Sequence, residues 1–276
     1  MKLPVAPFVC SCLALALLHP VPAAAGCTRD IQVPVAPIGL SVAVAVNGGV
    51  ESINGVYPDL LRKLFAREAC KLQFSVVPRA RLEAMFEAGK ADLLVPATRT
   101  PRRDLFGDFV PMVSSRALLI SINPERPPVR SLAELLERTE LRVALVRGYD
   151  YGEVYQGLIK TLSEQGRLQL TVDPVSVARM LDGGMVDLTL MAPSIFIGAL
   201  QGDVRVKSLL SKLRYEALDE LPWSESGIYV SKAALSEPYR QALIGLLERA
   251  AKSGEVWRSF QQHYPASSLK DSIRPR

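Results

Sequence analysis

Apolar runs of strand length alternate with amphipathic runs of helix length along almost the whole chain, and this alternation leaves few architectures open. Residues 40–46 form an apolar β-like run. Pro58 then sits in the first turn of a helix that carries Leu60, Leu61, Leu64 and Phe65 on one face. Residues 72–77 alternate as a strand, 81–88 read as a helix stopped by Gly89, and 91–95 read as a buried strand. A strand over 116–122, a Pro-rich loop over 123–128 and a helix opened by the capping box of Ser131 and Glu134 come next. Strand 141–146, helix 151–162, strand 168–172, a short helix capped by Ser176 and strand 186–191 follow. Ser236 caps a long helix with Pro238 in its first turn and Gly254 at its end. Residues 256–264 form a last short helix, and the tail after Pro265 reads as loose. Strands separated by helices of this length predict an α/β fold with mostly parallel sheets.

The chain also echoes itself. Residues 82–95 read helix, Gly89, Asp92, apolar strand, and residues 180–190 read helix, Gly184, Asp187, apolar strand. The two units lie about 95 residues apart, either as two lobes of one architecture or as the common look of any βαβ unit.

Residues 1–25 read as a signal peptide: Lys2 supplies the charge, residues 8–18 the apolar stretch, and Ala23, Ala24 and Ala25 a small-residue cleavage site. The apolar stretch is too short to span a bilayer. About 250 residues then remain, enough for one large domain or two of about 100–150 residues. Cys10 and Cys12 leave with the leader, while Cys27 and Cys70 stay. Two cysteines in an exported chain form one disulfide. The alternative is a lipid anchor on Cys27, because AAGC at 24–27 is a degenerate lipobox; strand-like sequence directly after Cys27, with no tether, favours the bridge.

The net charge of +5 is spread among interspersed acids and bases, which argues for a solvated mixed surface and against a nucleic-acid footprint. The two histidines, His19 and His263, stand far apart, so neither a His-based metal site nor Ser-His chemistry is expected. There is no Gly-rich phosphate loop, and no cofactor or metal is expected.

One stretch carries more specific chemistry. In GKADLLVPATRTPRRDLFGDF, residues 89–109, a buried strand delivers a Thr- and Arg-rich loop ending in Thr100, Pro101, Arg102 and Arg103. This resembles the ligand loop of bacterial solute-binding protein family 3, the substrate-binding components of polar amino-acid ABC importers. Residues 55–60 (GVYPDL), 141–148 (LRVALVRG) and 226–232 (SGIYVSK) resemble, in order, that family's first helix start, second-lobe strand and return to the first lobe.

The resemblance implies a periplasmic-binding-protein type II fold of two α/β lobes around a ligand cleft. Lobe one would comprise 26–116 and 226–276, and lobe two 117–225. It further implies a periplasmic, monomeric, non-enzymatic receptor for a small carboxylate-bearing ligand, with an ABC permease or a membrane sensor as partner. An exported cyclohexadienyl dehydratase is similar to such proteins, so an enzyme on the same scaffold is the alternative, with Asp150 or Glu225 as its acid.

Within the resemblance, Arg103 takes the place of the carboxylate clamp, since a guanidinium forks onto a carboxylate and keeps its charge when desolvated. Thr98, with Ala97 beside it, is the second contact or a turn residue bonding its own backbone. Arg79 and Arg81 flank the preceding helix start, and one of them faces the cleft or both are solvated. In lobe two, Gly148 turns the chain towards a helix N-terminus, with Tyr149 and Asp150 at ligand-facing positions; Asp150 equally suits the cap of that helix. The family's ammonium-pairing acid is missing here, where Met191, Ala192, Pro193 and Ser194 stand. Asp150 replaces it or the ligand lacks an amine. Trp223, beside the expected second crossing, and Trp257 are core candidates.

Overall fold

The computed structural model describes residues 1, 27, 29–47, 49–264, 266–269 and 272–276. The expected leader beyond Met1, with Cys10, Cys12 and His19, lies outside the described residues. The first group of elements is β1 (Ile31–Val35), a hairpin of β2 (Ala43–Asn47) and β3 (Val50–Asn54), α1 (Val56–Arg67), β4 (Leu72–Val76), α2 (Arg79–Glu87), β5 (Leu93–Thr98), the single turn α3 (Pro101–Asp104) and β6 (Gly107–Ser115). The second is β7 (Leu118–Ser121), α4 (Leu132–Glu137), β8 (Val143–Val146), α5 (Glu153–Glu164), β9 (Leu168–Thr171), α6 (Pro174–Asp182), β10 (Leu188–Met191), α7 (Pro193–Gly202), a 3-10 turn (Lys207–Ser211) and β11 (Arg214–Glu216). The chain then returns through β12 (Ser224–Ser231), α8 (Glu237–Lys252), α9 (Glu255–His263), α10 (Ala266–Leu269) and β13 (Ile273–Pro275).

The second group builds a five-stranded sheet in the order β11-β7-β10-β8-β9, with β8 parallel to both β9 and β10. Its inner strands β7, β8 and β10 are buried along their whole length, as strands covered on both faces must be. The first and third groups share a four-stranded sheet, β13-β6-β12-β5, flanked by the parallel pair β1-β4. Both crossings between the groups run through one ladder. Strands β6 and β12 pair antiparallel from Gly107 opposite Ser231 to Ser115 opposite Ser224.

The internal echo extends to individual hydrogen bonds. At the foot of β5, Asp92 donates its N–H to the Gln32 carbonyl (2.9 Å), accepts the Gln32 N–H on its carboxylate (2.7 Å) and forks onto Arg29. At the foot of β10, Asp187 donates to the Arg142 carbonyl (2.9 Å), accepts the Arg142 N–H (2.8 Å) and pairs with the Arg142 side chain. Gly89 and Gly184, three residues before each aspartate, both adopt the left-handed conformation that ends the preceding helix.

Five expectations need correction. The sheets are not mostly parallel: among the named strands β1-β4, β8-β9 and β8-β10 pair parallel, while the whole β13-β6-β12-β5 sheet, the β2-β3 hairpin and both pairings of β7 are antiparallel, because the chain crosses out through β6 and returns beside it as β12. The core strand near the N-terminus is residues 31–35, while the apolar run at 40–46 supplies β2 of a hairpin; Gly49 at positive φ turns it back, and short runs alone do not separate the two cases. Strand β6 went unseen because Pro111 interrupts it; that proline lies opposite Gly227, where the register shifts and the ladder tolerates a missing donor. The cap of α6 is Asp173, whose carboxylate accepts the Ser176 N–H (2.7 Å), and not Ser176. The tail after Pro265 is docked: Leu269 and Ile273 are buried, β13 pairs with β6, and Ser272 reaches both groups of elements, accepting the Arg116 N–H on its carbonyl and the Ser194 N–H on its hydroxyl (3.2 Å each). Trp223 carries two guanidiniums on its ring, those of Arg116 (5.0 Å) and Arg274 (4.5 Å).

Cys27 and Cys70 are disulfide-bonded, with Cα atoms 5.1 Å apart, and tie the segment before β1 to the turn between α1 and β4. Closing a loop over a separation of 43 residues stabilises the fold by about 4 kcal/mol in the chain-entropy model. Reduction should lower the urea-unfolding free energy by about that amount. Intact-mass measurement should show the two-proton deficit of the bridge and no lipid on Cys27.

Candidate functional site

Two buried arginines meet beyond the ends of β4 and β5. Arg79 opens α2 directly after the loop from β4, and Arg103 lies in the turn that follows β5. Their side chains are 6% and 4% exposed. A guanidinium keeps its charge when desolvated, so each needs a full set of acceptors. Glu83, one turn beyond Arg79, provides most of them. Its Oε1 takes Arg79 Nη2 (2.6 Å) and Arg103 Nη2 (2.8 Å), and its Oε2 takes Arg103 Nε (3.1 Å). Backbone carbonyls complete the arrangement: Pro96 accepts from Arg79 Nη1 and Thr98 from Arg103 Nη1, each at 2.8 Å.

Burial works to raise the Glu83 carboxyl, but the two guanidiniums outweigh it and hold the group below the usual carboxylate range. For Arg79, burial dominates and pulls it below the usual arginine value against the attraction of Glu83. Three of the five N–H groups of Arg103 are engaged by Glu83 and Thr98, so one hydrogen on each terminal nitrogen remains to be given. The Arg79 Nε is buried with no partner among the described residues.

The loop that carries Arg103 is anchored from behind. Thr100 caps α3, its hydroxyl accepting the Arg103 N–H (3.3 Å), and Pro101 fits the first helical position. Tyr229 of β12 accepts the Thr100 N–H (3.0 Å) and donates to Asp104 (2.9 Å), while Phe86 and Phe109 pack on its ring. The loop expected over 96–103 is therefore shorter than foreseen, since β5 runs on to Thr98 and one helical turn follows.

The five-stranded sheet faces this corner through residues 148–151. Gly148 holds φ at +85°, and a Cβ there would lie 2.8 Å from the Ala80 nitrogen, so the loop sits against the first turn of α2. Helix α5 begins five residues later than Gly148, with Gly152 as its cap. Asp150 is thus not the helix cap: its carboxylate closes a local turn on the Gly152 N–H (2.9 Å). Tyr149, Tyr151 and Tyr155 stack edge to face in succession, and the Tyr151 hydroxyl accepts the Ala192 N–H (3.4 Å).

A cavity of about 400 Å³, including its open mouth, lies between these walls. Arg79, Ala97, Thr98, Arg103, Tyr149 and Asp150, the six residues selected from the sequence, all line it. Ile38, Pro96, Ser115, Tyr151, Ala192, Ile195 and Ser226 complete the lining. Ser115 and Ser226 come from the two crossing strands, and Ala192 stands where the acid is missing. Arg81 is exposed and Glu225 pairs with Arg99 (3.8 Å); neither lines the cavity. Sequence reasoning missed Glu83. Its one signal was the four-residue spacing from Arg79, which on a helix reads as an ordinary surface pair. Among the described residues no cluster of side chains suits a metal ion.

No family model and no curated sequence matches the chain, but solved structures do. The amino-acid ABC transporter substrate-binding protein AbpA from Streptococcus pneumoniae, bound to L-arginine, superposes with a TM-score of 0.67 at 18% identity, over 85% of this chain and 94% of that one. A histidine kinase sensor domain similar to periplasmic binding proteins gives 0.66 at 17%, over 85% and 97%. AncCDT-1, an ancestral amino-acid-binding protein and precursor of cyclohexadienyl dehydratase, gives 0.65 at 13%, over 86% and 96%. The chain has the type II periplasmic-binding-protein fold, as the resemblance to family 3 implied.

The buried tyrosines give this corner a pH signature. Burial raises Tyr151 to about 12 and moves Tyr149 and Tyr155 upward as well. A folded-state value above the unfolded one means that the native state keeps its proton longer. That stabilisation is complete below about pH 10 and is lost as pH rises towards 12. Alkaline titration should show tyrosinate absorbance appearing late and together with loss of the fold.

Proposed function

We propose that the protein is a periplasmic solute-binding protein that captures a small carboxylate-bearing solute, an amino acid or a close relative, for a membrane ABC importer. The observation that carries this reading is the pair of buried guanidiniums at one cavity, with Arg103 still holding donors to give. The ligand carboxylate takes the remaining Nη1 and Nη2 hydrogens of Arg103, with Thr98 and Ala97 beside it. Asp150, across the cavity, stands in for the absent acid near Ala192 and receives an ammonium. Two guanidiniums and the carboxylates of Glu83 and Asp150 balance, which suits a zwitterion.

On this reading residues 26–116 with 226–276 and residues 117–225 act as two lobes that close on the ligand about the β6–β12 ladder. The leader delivers the chain to the periplasm, where the bridged Cys27 leaves it unanchored, and the working form is a monomer. The fold shared with a kinase sensor domain makes signalling to a membrane receptor a variant of the same binding event.

Arg103→Ala should weaken binding of the ligand by about 2–5 kcal/mol, because a buried charge pair loses one member. Protein refolded to strip bound solute, then screened by thermal shift against amino acids, amines and organic acids, provides the ligand and the assay. Unchanged affinity in the variant would remove Arg103 from the site, and no shift with any class would overturn the receptor reading.

A catalytic reading keeps one observation in its favour: Asp150 is an acid at the cavity wall of a fold shared with a dehydratase precursor. Turnover of prephenate or arogenate, lost in Asp150→Asn, would establish it. Absence of product at high protein concentration would dismiss it.

A further inference from the structure

In the ligand scheme above Glu83 enters only as a charge and touches no part of the ligand, yet its carboxylate is the structural centre of the arginine corner. It is bound on both oxygens, sits between the two guanidiniums and is 16% exposed. It also occupies one particular edge of Arg103. Glu83 takes the Nε and Nη2 side, and the Thr98 carbonyl takes Nη1. Arg103 keeps one hydrogen on each terminal nitrogen, and Arg79 keeps its own, the Nε–H among them, so Glu83 controls the net charge of the corner and not the number of donors it offers.

We propose that Glu83 sets the charge selectivity of the cleft, restricting it to ligands that present one carboxylate and excluding dianions. The inference rests on the reading of this cavity as a carboxylate site and adds a selectivity that Arg103 alone would not have. Two bare guanidiniums side by side are a site for a dianion, such as sulfate, phosphate or a dicarboxylate. Glu83 cancels one of the two charges that such a ligand would use. Asp150, a carboxylate on the cavity wall itself, adds negative charge and makes a second anionic group on the ligand more costly still. Glu83 touches the guanidiniums and not the ligand, so it is a positioning residue whose effect reaches the ligand through Arg103.

The test uses inorganic sulfate, so it is independent of the unidentified ligand. Wild type, Glu83→Gln and the double variant Glu83→Gln with Arg103→Ala are titrated with sodium sulfate by thermal shift. Sodium chloride at equal ionic strength is the reference for screening, and the double variant in the same sulfate is the reference for the general stabilisation by an excluded salt. The Glu83→Gln protein should bind sulfate at least about tenfold more tightly than wild type, and the double variant should return to the wild-type response. Equal sulfate affinity in folded Glu83→Gln and wild type overturns the proposal. Should Glu83→Gln fail to fold, Arg79→Met with Glu83→Gln restores the single positive charge. A folded double variant with the wild-type sulfate response supports charge balancing, and a double variant that also fails to fold overturns it. Sulfate selectivity and the solute screen fail separately: a wild type that binds no solute refutes the receptor reading and leaves the sulfate comparison intact.

Discussion

Everything at the cavity depends on one antiparallel ladder. Strands β6 and β12 are the two routes by which the chain passes between its sheets, and they are hydrogen-bonded to each other along their length. Their far ends supply Ser115 and Ser226 to the cavity wall, and the near part of β12 supplies Tyr229, which holds the Arg103 loop from behind. On the proposed reading this ladder is the hinge, and a hinge made of paired strands bends as a unit. It restricts the sheets to motions that keep the ladder intact, and so keeps the cavity walls in register. Gly227 marks the tightest place, where a Cβ would meet the Val110 carbonyl at 2.1 Å. The register shift there gives the crossing its local twist.

The chemistry of the corner follows from the cost of burying charge. Arg79 and Arg103 are too deeply placed to be solvated, and like charges at this separation repel strongly in a poorly screened interior. The carboxylate between them and the two strand-end carbonyls remove most of that cost without consuming every donor. What is left over is specific in direction, because the guanidinium is planar and its edges are already assigned. The site is therefore preorganised by contacts made within the β5 turn and α2, before the opposite wall contributes anything.

Much of this was legible in the sequence, and the gaps have physical causes. The alternation of strand and helix is legible because buried inner strands are largely apolar, as β8 and β10 are, whereas the direction of pairing leaves no such mark. The Thr-and-Arg loop is legible because strand, turn and guanidinium follow one another within a few residues. Strand β6 is not, because Pro111 masks the pattern and its acceptability depends on a bulge in a partner more than a hundred residues away. The role of Glu83 is invisible for the same kind of reason. Its spacing to Arg79 is local, but its meaning comes from Arg103, which arrives only when β5 lies beside α2. Asp150 reads as a helix cap because Asp before a helix commonly is one; α5 starts only at Glu153, and Gly152 is its cap. The tail reads as loose because three-residue strands carry no periodicity.

That tail has a mechanical meaning. Ser272 holds the crossing at Arg116 with its carbonyl and the start of α7 at Ser194 with its hydroxyl, and β13 then runs along β6 towards the exposed Arg276. These residues thus form a tether stitched across the crossing. A pull applied at Arg276, by a surface, a fused partner or an affinity handle, would be transmitted to the crossing strands through these contacts.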